Sequence, residues 1–215
     1  MKFFCACIFF ICSSADVDTH ALFPVTNNPS PLGEFSAEWN KPQYDQCNTA
    51  ADEKFMTKEE KEVVYILNLV RSFPRLFLST VLAKYPVYSG KNDLVNDKYY
   101  YQSLVATLGK MEQQTLLFAD KECYTSAACH AQTSGIKGYT GHERTSAGCK
   151  AKKYFMGECC DYGNEDPFEI VMSLLIDEGV ASLGHRSILL GDYGSIGVAI
   201  RPHKTYGHTA VLDFY

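Results

Sequence analysis

The chain has 215 residues, with 20 Lys+Arg against 25 Asp+Glu and a formal net charge of −5. That balance argues against a nucleic-acid partner, because a phosphate backbone is held through an excess of basic groups. The length suits one domain with a substantial core, and beyond the N-terminus no uninterrupted apolar run is long enough to span a bilayer, so no transmembrane segment is expected.

Residues 1–15 read as a secretory signal: Lys2 supplies a positive start, Phe3 to Ile11 are apolar, and Ser13-Ser14-Ala15 are small residues at the cleavage positions. The expected location is therefore secreted, periplasmic or otherwise extracellular. Cys5, Cys7 and Cys12 belong to that segment, which leaves Cys47, Cys123, Cys129, Cys149, Cys159 and Cys160. An even set in an exported chain predicts disulfides, at least two, with the pairing left open. A structural zinc site is the alternative, but the paired C-x-x-C spacing is missing. Residues 16–54 lack an apolar period and are interrupted by Pro24, Pro29, Pro31 and Pro42, so they read as an extended N-terminal arm, pinned to the domain by Trp39 and Tyr44.

The domain itself is read as residues 55–215. Thr57-Lys58-Glu59-Glu60 matches a capping box, and Val63, Val64, Ile66, Leu67 and Val70 follow at helical spacing up to Phe73-Pro74. Short helical pieces are expected over Leu76 to Leu82 and Leu104 to Met111. Asp120 is a candidate cap for a helix to Ser134, with Gly135 as its stop. Asp166-Pro167-Phe168-Glu169 opens another helix, which runs through Ile170, Val171, Leu174 and Leu175 to Gly179. The period then changes: a strand near Phe155 to Cys159 and two β runs, Ile196 to Ile200 and Thr209 to Phe214, suggest a hairpin across Arg201 to His208. Helices early and antiparallel strands late predict an α+β domain with helices packed on a small sheet.

Four segments stand in a telling order: Asn68-x-x-Arg71, Gly141-His142, Gly157-Glu158 and Gly184-His185-Arg186. The order resembles the CAP superfamily of cysteine-rich secretory, antigen 5 and pathogenesis-related proteins, above all its bacterial SCP-like branch. Ser182-Leu183-Gly184-His185-Arg186 leading into Ile196-Gly197-Val198 is the most specific piece. The resemblance implies an α-β-α sandwich with a surface cleft holding His142, Glu158 and His185, and a second glutamate before the last histidine, for which Glu178 is chosen over its neighbour Asp177. Two departures stand out. The family's Gly-Glu-Asn is Gly157-Glu158-Cys159 here, and the tryptophan usual before Gly-His-Arg is missing.

Read as chemistry alone, two imidazoles with carboxylates can hold Zn²⁺ or another divalent metal, the carboxylates fixing the ring tautomers. The same set can relay protons. The metal ligands are expected to be His142 and His185, supported by Glu158 and Glu178. His130 reads as packing or support behind the cleft, His203 and His208 as surface residues of the hairpin, Tyr99 to Tyr101 as core edge, and Asn68 and Arg71 as ties between the first helix and nearby loops. The expected function is an extracellular binding module for a lipid, peptide or surface polymer. The alternative is a hydrolase using the tetrad His142, Glu158, Glu178 and His185. No Gly-x-Ser-x-Gly elbow is present to support it.

Overall fold

A computed structural model describes residues 29–215, so the expected signal, residues 1–15, and the first part of the expected arm lie outside the described residues. The helices are α1 Lys58–Ser72, α2 Pro74–Phe77, α3 Tyr85–Tyr88, α4 Tyr101–Lys110, α5 Lys121–Lys137, α6 Ala147–Ala151, α7 Pro167–Ile176 and α8 Gly184–Leu189. A π-helical turn, Leu78–Leu82, follows α2. The strands are β1 Phe118–Ala119, β2 Gly157–Tyr162, β3 Ser195–His203 and β4 Gly207–Phe214. They form one mixed sheet in the order β1-β3-β4-β2, with only the β1 pairing parallel. The fold is α+β, and among the described residues no single helix is long and apolar enough to cross a membrane.

The described part of the arm is compact where extension was expected. Ala37–Asn40 and Pro42–Cys47 coil into 3₁₀ turns, which suit proline at the first position and satisfy backbone groups locally. Trp39 and Tyr44 do pin it: both are buried, and the indole donates to Thr80 Oγ1 at 3.0 Å.

Helix α1 opens on the expected capping box, Thr57 Oγ1 accepting from Glu60 N at 3.2 Å and Glu60 accepting from Thr57 N at 2.8 Å. Glu60 is fully buried because its other oxygen takes the Ile200 amide and the Arg201 guanidinium of β3. Asn68 and Arg71 are the ties that were expected. Asn68 bonds Cys47 O, Thr49 Oγ1 and both backbone groups of Leu117, and Arg71 donates to the carbonyls of Thr115, Leu189, Gly191 and Tyr193.

Helices cover both faces of the sheet. On one side α5 lies against β3 and β4; on the other, α1, α7 and α8 pack against β3 and β2. The approach of α5 is close enough to demand glycine. A Cβ on Gly197 would stand 2.0 Å from Tyr124 N, and one on Gly135 would stand 2.2 Å from Pro202 O. Gly135 is thus a contact point inside α5 and not its stop, which falls at Gly138 with φ 74. Likewise α7 stops at Asp177, in the left-handed region with φ 61, two residues before Gly179. The turn between β3 and β4 is shorter than expected because both strands continue to His203 and Gly207. His203 is therefore buried and not a surface residue: its Nε2 donates to Tyr139 O at 3.1 Å while Nδ1 accepts the Thr205 and Tyr206 amides. Of the three tyrosines, Tyr101 is core and Tyr99 is 53% exposed.

Among the described residues there is one disulfide, Cys129–Cys149, where at least two were expected. Cys159 and Cys160 do point to opposite faces of β2, as alternation requires, but each meets apolar packing and no second thiol. Cys47 and Cys123 are likewise buried thiols. The bridge ties α5 to α6 over a separation of 20 residues, so Cys129→Ser with Cys149→Ser is expected to lose about 3 kcal/mol of stability. Urea unfolding under non-reducing conditions measures this, and alkylation of the unfolded chain should label Cys47, Cys123, Cys159 and Cys160.

Candidate functional site

The site straddles β2, the edge strand of the sheet. Alternation puts Glu158 and Cys160 on the face toward α5, and Cys159 on the face toward α8, where its Sγ lies 3.7 Å from His185 O. His142 arrives on the loop that follows α5. That loop is pinned from two sides: the Gly141 amide donates to the Tyr162 hydroxyl at 2.8 Å, and the His130 Nε2 donates to Gly141 O at 2.9 Å. His130 is buried without exposed surface, so it packs beneath the loop as expected.

His142 Nδ1 donates to Glu158 Oε1 at 2.9 Å. The second Glu158 oxygen takes Arg144 Nη2 at 2.6 Å, and the same nitrogen reaches Asp213 Oδ2 and Ser126 Oγ, both at 3.1 Å. Glu158 and Asp213 are direct cross-strand partners of β2 and β4. Burial alone would raise the Glu158 pKa, but the bonds from His142 and Arg144 outweigh it and hold the carboxyl below its ordinary range. The Glu158 carboxylate in turn raises the His142 pKa against the opposing effect of partial burial. Asp213 goes the other way: burial, and then the charge of Glu158, push it up to about 9.

That shift sets a pH dependence. Folded Asp213 keeps a proton that the unfolded chain releases near 3.8, so its contribution is complete below that value and is lost as pH rises toward about 9. Asp213→Asn cannot ionise, and its stability is expected to fall less steeply across this window than that of the parent chain. Urea midpoints at a series of pH values measure the difference, and parallel curves would show that Asp213 holds no such proton.

His185 sits in the first turn of α8, held by a carboxylate of its own. Asp177 Oδ1 accepts from His185 Nδ1 at 2.7 Å, while Oδ2 accepts the amides of His185 and Arg186 at 3.0 and 3.3 Å. This corrects the choice of Glu178, which is exposed and lines the cavity without a bond to His185. The left-handed turn at Asp177 swings that carboxylate beneath the 183–186 segment, where Leu183 is itself left-handed at φ 50. Arg186 locks the arrangement from below, donating to the last carbonyls of α7, Leu175 O and Ile176 O, and to Tyr100 O.

The two rings meet over β2 with centroids 6.2 Å apart. Both line a cavity of about 690 Å³ together with Thr140, Cys160, Asp161, Tyr162, Ser173, Glu178 and Tyr206. The His142 side chain is 56% exposed and that of His185 19%. With each Nδ1 taken by a carboxylate, the Nε2 atoms have no hydrogen-bond partner among the described residues. Two Nε2 atoms sharing one tetrahedral ion would set the centroids about 5 Å apart, about 1 Å closer than they stand here.

A second group lies deeper. His130, Glu158 and Cys160 each offer a donor atom within 4.8 Å of the others, all three residues are buried, and this group can hold a metal ion. Spacing along the chain hid it, because its members come from α5 and β2 and only the packing of α5 on the sheet joins them. Arg144 and Asp213 escaped notice for the same reason. No family model, curated protein or solved structure matches this chain.

Proposed function

We propose that the chain is an exported binding module of the CAP type, with an α-β-α sandwich whose cleft presents a divalent cation between His142 and His185. The reading rests on one observation: two imidazoles, brought from opposite faces of an edge strand, are each held at Nδ1 by a buried carboxylate, Glu158 or Asp177, with Nε2 left over at a shared cavity. Carboxylate, histidine and metal in series is how proteins orient and strengthen imidazole ligands. Helices on both faces of the sheet, with His142, His185 and the Glu158 carboxylate that holds His142 gathered at one cleft, support this reading. An ion such as Zn²⁺ would supply Lewis acidity and open coordination positions. The polar wall of Thr140, Asp161, Ser173 and Tyr206 favours a peptide or surface polymer over a lipid as the ligand.

A hydrolase reading has no activated thiol at the cavity wall and would have to draw its nucleophile from water. The Cys160 thiol at the cavity wall is pushed well above its ordinary range by burial, and the charge of Glu158 adds to that. The test is calorimetric titration with Zn²⁺ in a Cys160→Ala background, which takes the deeper group out of play. Asp177→Asn should weaken binding by about 10–100-fold, and Glu178→Gln should leave it unchanged. Equal losses in the two variants would sink the assignment of Asp177. Turnover of peptide, ester or glycan substrates that vanishes in His142→Ala would replace the binding module with the hydrolase.

A further inference from the structure

The deeper group is more than a support for His142. His130 Nε2 faces the Gly141 carbonyl, an atom that only accepts, so Nε2 carries the ring proton and Nδ1 the lone pair. That Nδ1 is buried and has no partner among the described residues. A buried acceptor left without a donor calls for an explanation, and a neutral imidazole with its tautomer already set is the form that binds metals. Cys160 forms no disulfide, and its Sγ lies 3.8 Å from His142 Nδ1. Cys160 also lines the cleft cavity, which opens a route for an ion from solvent.

We propose that His130, Cys160 and Glu158 form an inner site for a thiophilic divalent cation of the zinc class, filled through the cleft and separate from the outer Nε2 pair. Nitrogen, sulfur and oxygen donors select zinc-like ions over magnesium or calcium, which take oxygen alone. Three protein donors leave the fourth tetrahedral position open. As the sulfur–metal bond forms, the Cys160 S–H bond breaks and its proton passes to solvent. The thiolate offsets one charge of the ion, and the Glu158 carboxylate is shared between the ion and Arg144. The inference does not depend on the outer pair binding anything.

Cobalt(II) is the probe, because a thiolate ligand gives it a sulfur-to-metal absorption band in the near ultraviolet. The full chain loaded with cobalt should show this band. His142→Ala with His185→Ala should retain it, and Cys160→Ala should lose it while keeping its far-ultraviolet dichroism. If Cys160→Ala does not fold, the parent chain still decides: zinc should protect Cys160 from iodoacetamide, read by peptide mass mapping, with Cys47, Cys123 and Cys159 as internal controls. No band in the parent chain overturns the inner site, as does a band that survives in folded Cys160→Ala, or Cys160 labelling that zinc leaves unchanged. Loss of the band in the double histidine variant would mean a single site spread across the cleft.

Discussion

Arg144→Met is expected to lower the unfolding free energy by about 3–5 kcal/mol, the cost of stranding buried charge. Arg144 is 4% exposed and is the cation that reaches both Glu158 and Asp213, which face each other across β2 and β4. Its Nη1 and Nε have no hydrogen-bond partner among the described residues; the guanidinium lies instead over the Phe155 ring, 4.6 Å from its centroid. Methionine fills much of the space but brings no charge, so Glu158, whose neighbour Asp213 already keeps its proton, must itself bind a proton or draw in water. Adding Glu158→Gln and Asp213→Asn should recover most of the loss, because neutral amides do not need the cation. Urea unfolding of the parent, Arg144→Met and the triple variant measures this, and an Arg144→Met unfolding free energy within about 1 kcal/mol of the parent would show that the cluster is stable without its arginine.

Loss of zinc-induced stabilisation in His142→Ala with His185→Ala is the second large effect. An ion that binds only the folded chain stabilises it by about 4.1 kcal/mol at a thousand times its dissociation constant. In the Cys160→Ala background the cleft pair is the remaining zinc site of this reading, so the full shift should disappear when both rings go. The shift should persist in His203→Ala measured against its own zinc-free form, since that imidazole spends its nitrogens on Tyr139, Thr205 and Tyr206. A zinc-dependent rise in melting temperature that survives in the double variant would remove His142 and His185 from the site.

Local signals in the sequence determined what local physics controls. The capping box at Thr57, the Asp166 and Asp120 caps and the β periods near the end of the chain act over a few residues, and each produced its element. The histidines of the Gly-His steps and Glu158 were legible only through the resemblance to the CAP superfamily, because their spacing matches no short metal motif. Tertiary structure decided the rest. Glu178 and Asp177 are adjacent in sequence, and only the left-handed turn that ends α7 selects which carboxylate swings beneath His185. Gly135 has the composition of a helix stop, yet the approach of Pro202 makes it a contact point inside α5. Counting cysteines could not show that neither Cys159 nor Cys160 would meet a second thiol among the described residues. The inner group and the Arg144 cluster required α5, β2 and β4 to be stacked first, because Arg144 lies 14 residues from Glu158 and 69 from Asp213, and His130 comes from a different element than Glu158 and Cys160.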